Sequence, residues 1–317
     1  MGEHSVLFDS GPLGTGSVFR APERIIEAWN PGDVTGALSA MEEAQAAGKW
    51  LAGYAAYELG YLLTPKLADR FPQQYDGCLL SFGVFDSVEA PGPAGGGKAI
   101  TLAPFEPVWS YDAYCDAFYR VREYIKAGDI DQASLSFPMV STVNGSLRTL
   151  YDTLKGRQPV SHGAYVDLGE TKLLSRSPEL FFSVSNEGAL RARPMKGTTK
   201  RGCDWRNDER LKEELAQSEK NRAENLMITD LLRNDLGRIS MIGSVRVPKL
   251  FEVETYATVH QMTSEVIAQM LPSTTLTEIL TALFPCGSIT GAPKIRAMEI
   301  LSELEPFPRG PYCGAIG

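Results

Sequence analysis

The stretch RARPMKGTTKRG, residues 191–202, packs five cations into twelve positions of a chain whose formal net charge is −8. Lys196 stands in it between Met195 and Gly197, just after Pro194. An amine that loses part of its hydration gives up its proton more easily and becomes a nucleophile or base near neutral pH. A carboxylic acid lies within reach. The runs on either side of Ser185-Asn186-Glu187-Gly188 read as a hairpin. Counting outward equally from a turn centred between Asn186 and Glu187 sets Glu179 opposite Pro194, so acid and amine share the open end of the hairpin. Such an acid can hand a proton to a leaving group. A solvated ion pair, worth little, produces the same pattern. On the hairpin alone that plainer meaning is the commoner one.

Two further constellations could carry chemistry. A helix is predicted over 207–236, with Leu211, Leu215, Ala223, Met227 and Leu231 as its apolar stripe. Glu224 has Met227, Ile228 and Leu231 at i+3, i+4 and i+7, which draws its carboxylate partly out of water. A carboxylate there needs a partner. Mg²⁺, held by one or two carboxylates and an anionic substrate, would serve, and so would a lysine or arginine. In CGSITGAPKIRAMEI, residues 286–300, Gly287, Ser288, Thr290 and Gly291 lead into Pro293, a good first-turn residue for a helix over 293–303. Backbone N–H groups at such a start can hold an anion, although an ordinary capped helix is more common. No Walker loop, GxGxxG, HExxH or GxSxG motif occurs.

The elements that position these residues are legible in outline. A helix over 34–48 is stopped by Gly48, and a strand follows over 49–59. Residues 88–107, rich in Pro and Gly, read as a linker. Ser110 caps a helix that Gly128 stops, with Tyr114, Phe118, Val121 and Ile125 as its apolar stripe. Strands are predicted over 132–143, 163–167 and 171–175, and a helix over 274–284. Strands and helices interleave without a regular βαβ alternation, which predicts an α+β fold with large antiparallel sheets. The acidic balance argues against a nucleic-acid partner. Cys78, Cys115, Cys203, Cys286 and Cys313 are scattered and form no CxxC pair, which suits buried free thiols in a reducing cytosol. The start MGEHSVLFDS has no signal-peptide pattern, and no apolar run reaches membrane-spanning length. The expectation is a cytoplasmic protein without a membrane partner.

Six blocks together resemble the chorismate-utilising enzymes: GDIDQASLS (128–136), SRSPELFF (175–182), RPMKGTTKRG (193–202), EKNRAENLMITDLLRNDLGRI (219–239), VPKLFEVETYATVHQMTSEV (247–266) and the segment 283–317. The blocks stand in the family's order, and the resemblance covers residues 110–317. The resemblance implies a chorismate-binding domain over 105–317, behind a more variable N-terminal region over 1–104. Two positions separate the branches. Anthranilate synthases carry Ala where this chain has Lys196, and isochorismate and salicylate synthases carry Lys where it has Gln132. Gln132 with Lys196 resembles the aminodeoxychorismate synthase branch, component I. In that branch the resemblance implies that Lys196 attacks C2 of chorismate and that Glu179 protonates the departing C4 hydroxyl. Ammonia from a glutamine amidotransferase partner then takes C4 and displaces the lysine. The product, 4-amino-4-deoxychorismate, leads to p-aminobenzoate and folate. The resemblance further implies that Glu224 holds Mg²⁺. Gln132, Thr198, His260, Ser288, Thr290 and Gly291 would bind substrate, and Arg193, Lys196, Lys200 and Arg201 would offset its two negative charges.

The match has departures. Asp131 and Ala133 replace an apolar residue and Asn, and GRQPVSHGAY (156–165) lacks the usual proline-plus-aromatic segment. The family core continues beyond YCGAIG with further strands and a helix that carry substrate-binding residues and a second Mg²⁺ glutamate. The resemblance therefore implies that 1–317 is a piece of a longer chain. The rival readings are an anthranilate synthase component I and a truncated scaffold that only binds the amidotransferase.

Overall fold

A computed structural model describes residues 4–92 and 100–317. The chain opens with β1 (Ser5–Phe8), β2 (Ser17–Arg20) and β3 (Arg24–Ala28), then α1 (Val34–Ala46), β4 (Trp50–Ala55), α2 (Leu59–Leu63) and β5 (Leu80–Phe85). Its middle holds β6 (Thr101–Leu102), β7 (Glu106–Pro107), α3 (Tyr111–Ala127), β8 (Gln132–Ala133), β9 (Met139–Val140), β10 (Val143–Asn144), α4 (Leu147–Arg157), β11 (His162–Asp167) and β12 (Lys172–Ser177). The last part runs through β13 (Leu180–Val184), β14 (Ala189–Arg193), β15 (Met195–Lys200), α5 (Trp205–Gln217), α6 (Glu219–Gly237), β16 (Arg246–Thr255) and β17 (Val259–Gln269). It finishes with α7 (Leu276–Leu283), β18 (Gly291–Ala292), α8 (Lys294–Leu304) and β19 (Ala315–Ile316).

Three sheets of four or five strands, in the orders β12-β11-β1-β2, β19-β4-β5-β3 and β13-β14-β17-β15 with β16 also on β17, are accompanied by the separate short ladders β10-β6, β18-β8 and β7-β9. Every ladder among them is antiparallel, so the α+β architecture expected from the sequence is the one observed. The expected division at 104/105 runs through two of these sheets: β1 pairs with β11, and β4 with β19.

Local rules set several boundaries. Ser110 accepts the backbone N–H of Ala113, and Gly128 closes α3 in the left-handed conformation at φ 80°. Thr275 and Glu278 form a reciprocal capping box on α7. Other expectations fail. The strand of 49–59 ends at Ala55, because residues 56–58 turn into α2. The strand of 132–143 breaks into β8, β9 and β10, each pairing with a different neighbour. Within the expected linker, 93–99 lie outside the described residues, and β6 and β7 pair with β10 and β9. The stripe on α3 is displaced: Ala117 and Val121 are buried, whereas Phe118 and Ile125 are exposed. Of the five cysteines, Cys78 and Cys286 are buried and Cys203 is exposed.

The helix of 207–236 is two helices. Ser218 leaves the helical region (ψ 109°) and caps α6 by accepting from the Asn221 N–H. Serine is a mediocre interior residue and a strong cap, because its hydroxyl competes for nearby backbone groups. The buried face of α6 also differs from the expected one. Asn225, Ile228, Thr229, Leu232, Asp235 and Leu236 are buried, and Ala223 is exposed. Ile228, Leu232 and Leu236 pack with Leu190, Ala192 and Val266 of β14 and β17, each contributing about 1.5–3 kcal/mol. Ser218→Ala is expected to cost about 1 kcal/mol, read as a lower urea midpoint at unchanged slope.

Candidate functional site

Lys196 sits on a β-bulge. Met195 faces Thr263 and Thr198 faces Gln261, so three steps along β15 meet two along β17. The extra residue takes Lys196 and Gly197 out of the ladder, a device that re-aims side chains beside active sites. Gly197 has φ 97°, and a Cβ there would lie 3.0 Å from the Asn221 Cβ, so glycine lets α6 approach this closely. Beneath the bulge, Asn225 is fully buried. Its Nδ2 donates to the carbonyls of Lys196 at 3.3 Å and Met262 at 3.2 Å. Sequence reasoning missed this residue. Its signal was a polar position within the i, i+3, i+4, i+7 series 225, 228, 229, 232.

Glu179 precedes β13. The hairpin pairs Val184 with Leu190 and Ser183 with Arg191, one position off the register expected from the sequence, and a bulge between Leu180 and Ser183 restores it. Leu180 then faces Arg193, so the next outward positions are Glu179 and Pro194, as counted. Ser288 Oγ donates to Glu179 Oε1 at 2.7 Å, and the Met195 N–H reaches the same oxygen at 3.4 Å. Burial pushes the Glu179 carboxyl above its ordinary range, against the opposing pull of Ser288, Met195 N–H and the Lys196 charge. Cys286, whose Sγ is 3.2 Å from Ser288 Oγ, is pushed up to about 12 by burial and by Glu179, so its thiol stays neutral.

The turn bearing Ser288 is built from its own polar groups. Thr290 is buried and donates its hydroxyl to the carbonyls of Gly287 at 3.2 Å and Cys286 at 3.3 Å. β18 then pairs Gly291 with Ala133 and Ala292 with Gln132. A Cβ on Gly291 would lie 2.3 Å from the Gln132 carbonyl oxygen, so this approach requires glycine. Gln132 Nε2 is buried without a hydrogen-bond partner among the described residues. An orphaned buried donor is costly, and here it belongs to the ladder that carries Gly291 and Ala292.

The other expected site residues are placed differently. Thr198 is exposed and donates to Gln261 Oε1 at 2.9 Å. His260 is fully buried, 2.9 Å by Nε2 from Asp208 Oδ1 and 3.0 Å by Nδ1 from Thr255 Oγ1. Arg201, the Gly202 N–H and His260 hold the Asp208 carboxyl well below the usual range. Asp208 therefore accepts the Nε2 proton, and Nδ1 is engaged with the Thr255 hydroxyl. Both ring nitrogens of His260 are thus in use within the protein. Of the cations expected to face a dianion, Arg193 pairs with Glu254 and Arg201 with Asp208, which corrects the four-cation cluster. Glu224 directly precedes Asn225, and its side chain keeps 37% exposure beside Lys220, 3.9 Å away. No group of three or more His, Cys, Asp or Glu able to hold a metal occurs among the described residues. Mg²⁺ binds through one or two protein carboxylates, an anionic substrate and water, and Glu224 fits that donor set as one carboxylate. A cavity of about 270 Å³ lined by Ser136, Phe137, Glu305 and Arg309 has neither Lys196 nor Glu179 in its walls.

The arrangement thus holds the Ser288 hydroxyl on a carboxyl that burial pushes toward its neutral form, within electrostatic reach of the Lys196 amine, which suits nucleophilic attack coupled to protonation of a leaving group. A family described as chorismate binding enzyme matches residues 86–317. The aminodeoxychorismate synthase component 1 of Salmonella typhimurium is 43% identical over 226 residues, 69% of this chain and 50% of that protein. The anthranilate synthase component 1 of Thermus thermophilus is 42% identical over 227 residues, 72% of this chain and 48% of that protein. The chain spans about half the length of these curated relatives. Among solved structures, anthranilate synthase component I from Streptococcus pneumoniae superposes with a TM-score of 0.75 at 28% identity, over 85% of this chain and 68% of that one. The menaquinone-specific isochorismate synthase from Escherichia coli shares the fold at a TM-score of 0.72 and 14% identity, over 100% of this chain and 76% of that one. No described helix is long and apolar enough to cross a membrane.

Proposed function

Because the chain belongs to the chorismate binding enzyme family, we propose that it works as the synthase component of an aminodeoxychorismate synthase. The observation that carries this reading is Lys196, lifted out of its ladder by the β15 bulge, beside a Glu179 carboxyl that burial favours in its protonated form. Lys196 attacks C2 of chorismate through its amine, once its ammonium proton has passed to solvent. The electron pair moves through the ring to expel the C4 oxygen, which leaves as water with the proton of Glu179. Ammonia then bonds to C4, the C2–nitrogen bond to Lys196 breaks, and 4-amino-4-deoxychorismate departs. Ser288 holds the Glu179 carboxyl through the first step. Gln132, whose buried amide donor has no partner among the described residues, would donate to substrate. Mg²⁺ on Glu224, when bound, offsets charge on a substrate carboxylate. The reading includes a glutamine amidotransferase as ammonia source, a role in p-aminobenzoate and folate synthesis, and a cytoplasmic location.

An anthranilate synthase is the second reading, favoured by the relatives of that name and opposed by a nucleophilic side chain at 196. The two differ in product. Given chorismate, an ammonium salt and Mg²⁺, the protein is expected to form 4-amino-4-deoxychorismate, identified by mass and chromatography, and EDTA is expected to abolish turnover. Anthranilate as the product would overturn the proposal.

A further inference from the structure

Between α8 and β19 the chain carries two opposite charges out of water: the side chains of Arg309 and Glu305 are 3% and 7% exposed. Charges in such a place are tolerated only when paired and fully hydrogen-bonded. Arg309 Nε donates to Glu305 Oε2 and Nη2 to Oε1, each at 2.8 Å. The rest of the fork reaches the backbone of two other segments. Nη1 donates to the Ile289 carbonyl at 3.1 Å and Nη2 to the Ser134 carbonyl at 2.6 Å. Glu305 accepts in turn from the Ser136 N–H at 2.8 Å. The guanidinium carbon lies 4.6 Å from the Tyr57 ring centroid, and Glu58 accepts the N–H groups of Arg309 and Gly310 at 2.7 and 3.0 Å.

Ile289 directly follows Ser288, and Ser134 is the residue whose N–H donates to the Thr290 carbonyl at 2.8 Å. One guanidinium therefore bolts the 287–292 turn to the segment that follows Gln132. We infer that Arg309 is a positioning residue that holds this turn in place and so keeps the Ser288 hydroxyl on the Glu179 carboxyl. Lysine cannot substitute, because a point ammonium cannot hold a carboxylate and two divergent carbonyls in one plane. The consequence for catalysis rests on the reading of Glu179 as proton donor, but the contact itself can be tested without turnover.

Lys196, Cys286 and Tyr256 act electrostatically with Glu179, Arg193 stands opposite the adjacent Leu180, and none of these is altered in the test. The midpoint of Glu179 is followed by the ¹³C resonance of its carboxyl, assigned by its loss in Glu179→Gln. Ser288→Ala removes a hydrogen bond that favours the ionised form, so the midpoint is expected to rise. Arg309→Lys is expected to raise it too, and the double variant is expected to go no further than Ser288→Ala alone. An unmoved midpoint in folded Arg309→Lys, or a shift that adds in full to that of Ser288→Ala, would overturn the inference. If Arg309→Lys does not fold, Glu305→Gln, which keeps the shape of the pair, decides by the same two outcomes.

Discussion

Replacing Lys196 by alanine is expected to lower 4-amino-4-deoxychorismate formation on the order of 10³-fold or more, since the variant has no group to form the covalent adduct. The fold is expected to survive. Lys196 is outside the ion pairs that its strand neighbours make, Arg191 with Glu265 and Arg193 with Glu254. The groups that hold the bulge remain: the carbonyl of residue 196 still accepts from Asn225, and Gly197 still supplies φ 97°. Two measurements check this. Steady-state turnover with ammonium as nitrogen donor should collapse at an unchanged melting temperature. Wild-type protein given chorismate without ammonia should gain the mass of chorismate less one water on the peptide containing Lys196, and the variant should not. Unchanged turnover in Lys196→Ala would refute the nucleophile role. The loss of the cation should also push Glu179 further up, because Lys196 is one of the influences that restrain its rise.

Glu179→Gln is expected to reduce kcat by about 10²- to 10⁴-fold, with little change in the surrounding structure. Glutamine keeps an oxygen that can accept from Ser288 and the Met195 N–H, but it has no acidic proton to give. The pH dependence has a definite sign. Burial raises the folded-state pKa of Glu179 above its unfolded value. Between the two values the folded protein binds a proton that the unfolded chain has released, so this group's contribution to stability is fully present below the unfolded value and is lost as pH rises through the folded one. The catalytic proton is lost over the same range. Wild-type kcat should therefore fall on the alkaline side as Glu179 ionises, and the residual activity of Glu179→Gln should lack that limb. In parallel, Glu179→Gln should gain stability relative to wild type as pH rises, measured by urea unfolding at several pH values. A retained alkaline limb in the variant would assign it to another group.

The residue types and their spacing, read alone, were sufficient for the helix from Ser110 to Gly128, for α7, for an antiparallel α+β fold and for the place of Glu179 opposite Pro194 at one hairpin end. These follow from rules that act over a few residues, such as caps, stops, turn chemistry and strand alternation, so one stretch of sequence contains all their terms. Equal counting from Asn186–Glu187 reaches Glu179 and Pro194 because two departures cancel: the turn lies half a position further on, and a bulge at Phe181–Phe182 compensates. Only the tertiary structure decided the rest. The face of α6 that is buried depends on β14, β15 and β17, which made Asn225 the support of Lys196 and left Glu224 at the water-facing margin. Arg193 and Arg201 find Glu254 and Asp208, and both nitrogens of His260 are engaged within the protein, partners that no spacing in the sequence marks. The Ser288–Glu179 bond joins residues 109 positions apart, and Arg309 reaches back 175 positions to Ser134. Such contacts have no period in the sequence. They exist because buried polar groups must find partners wherever packing brings them, and packing is settled by all the elements at once.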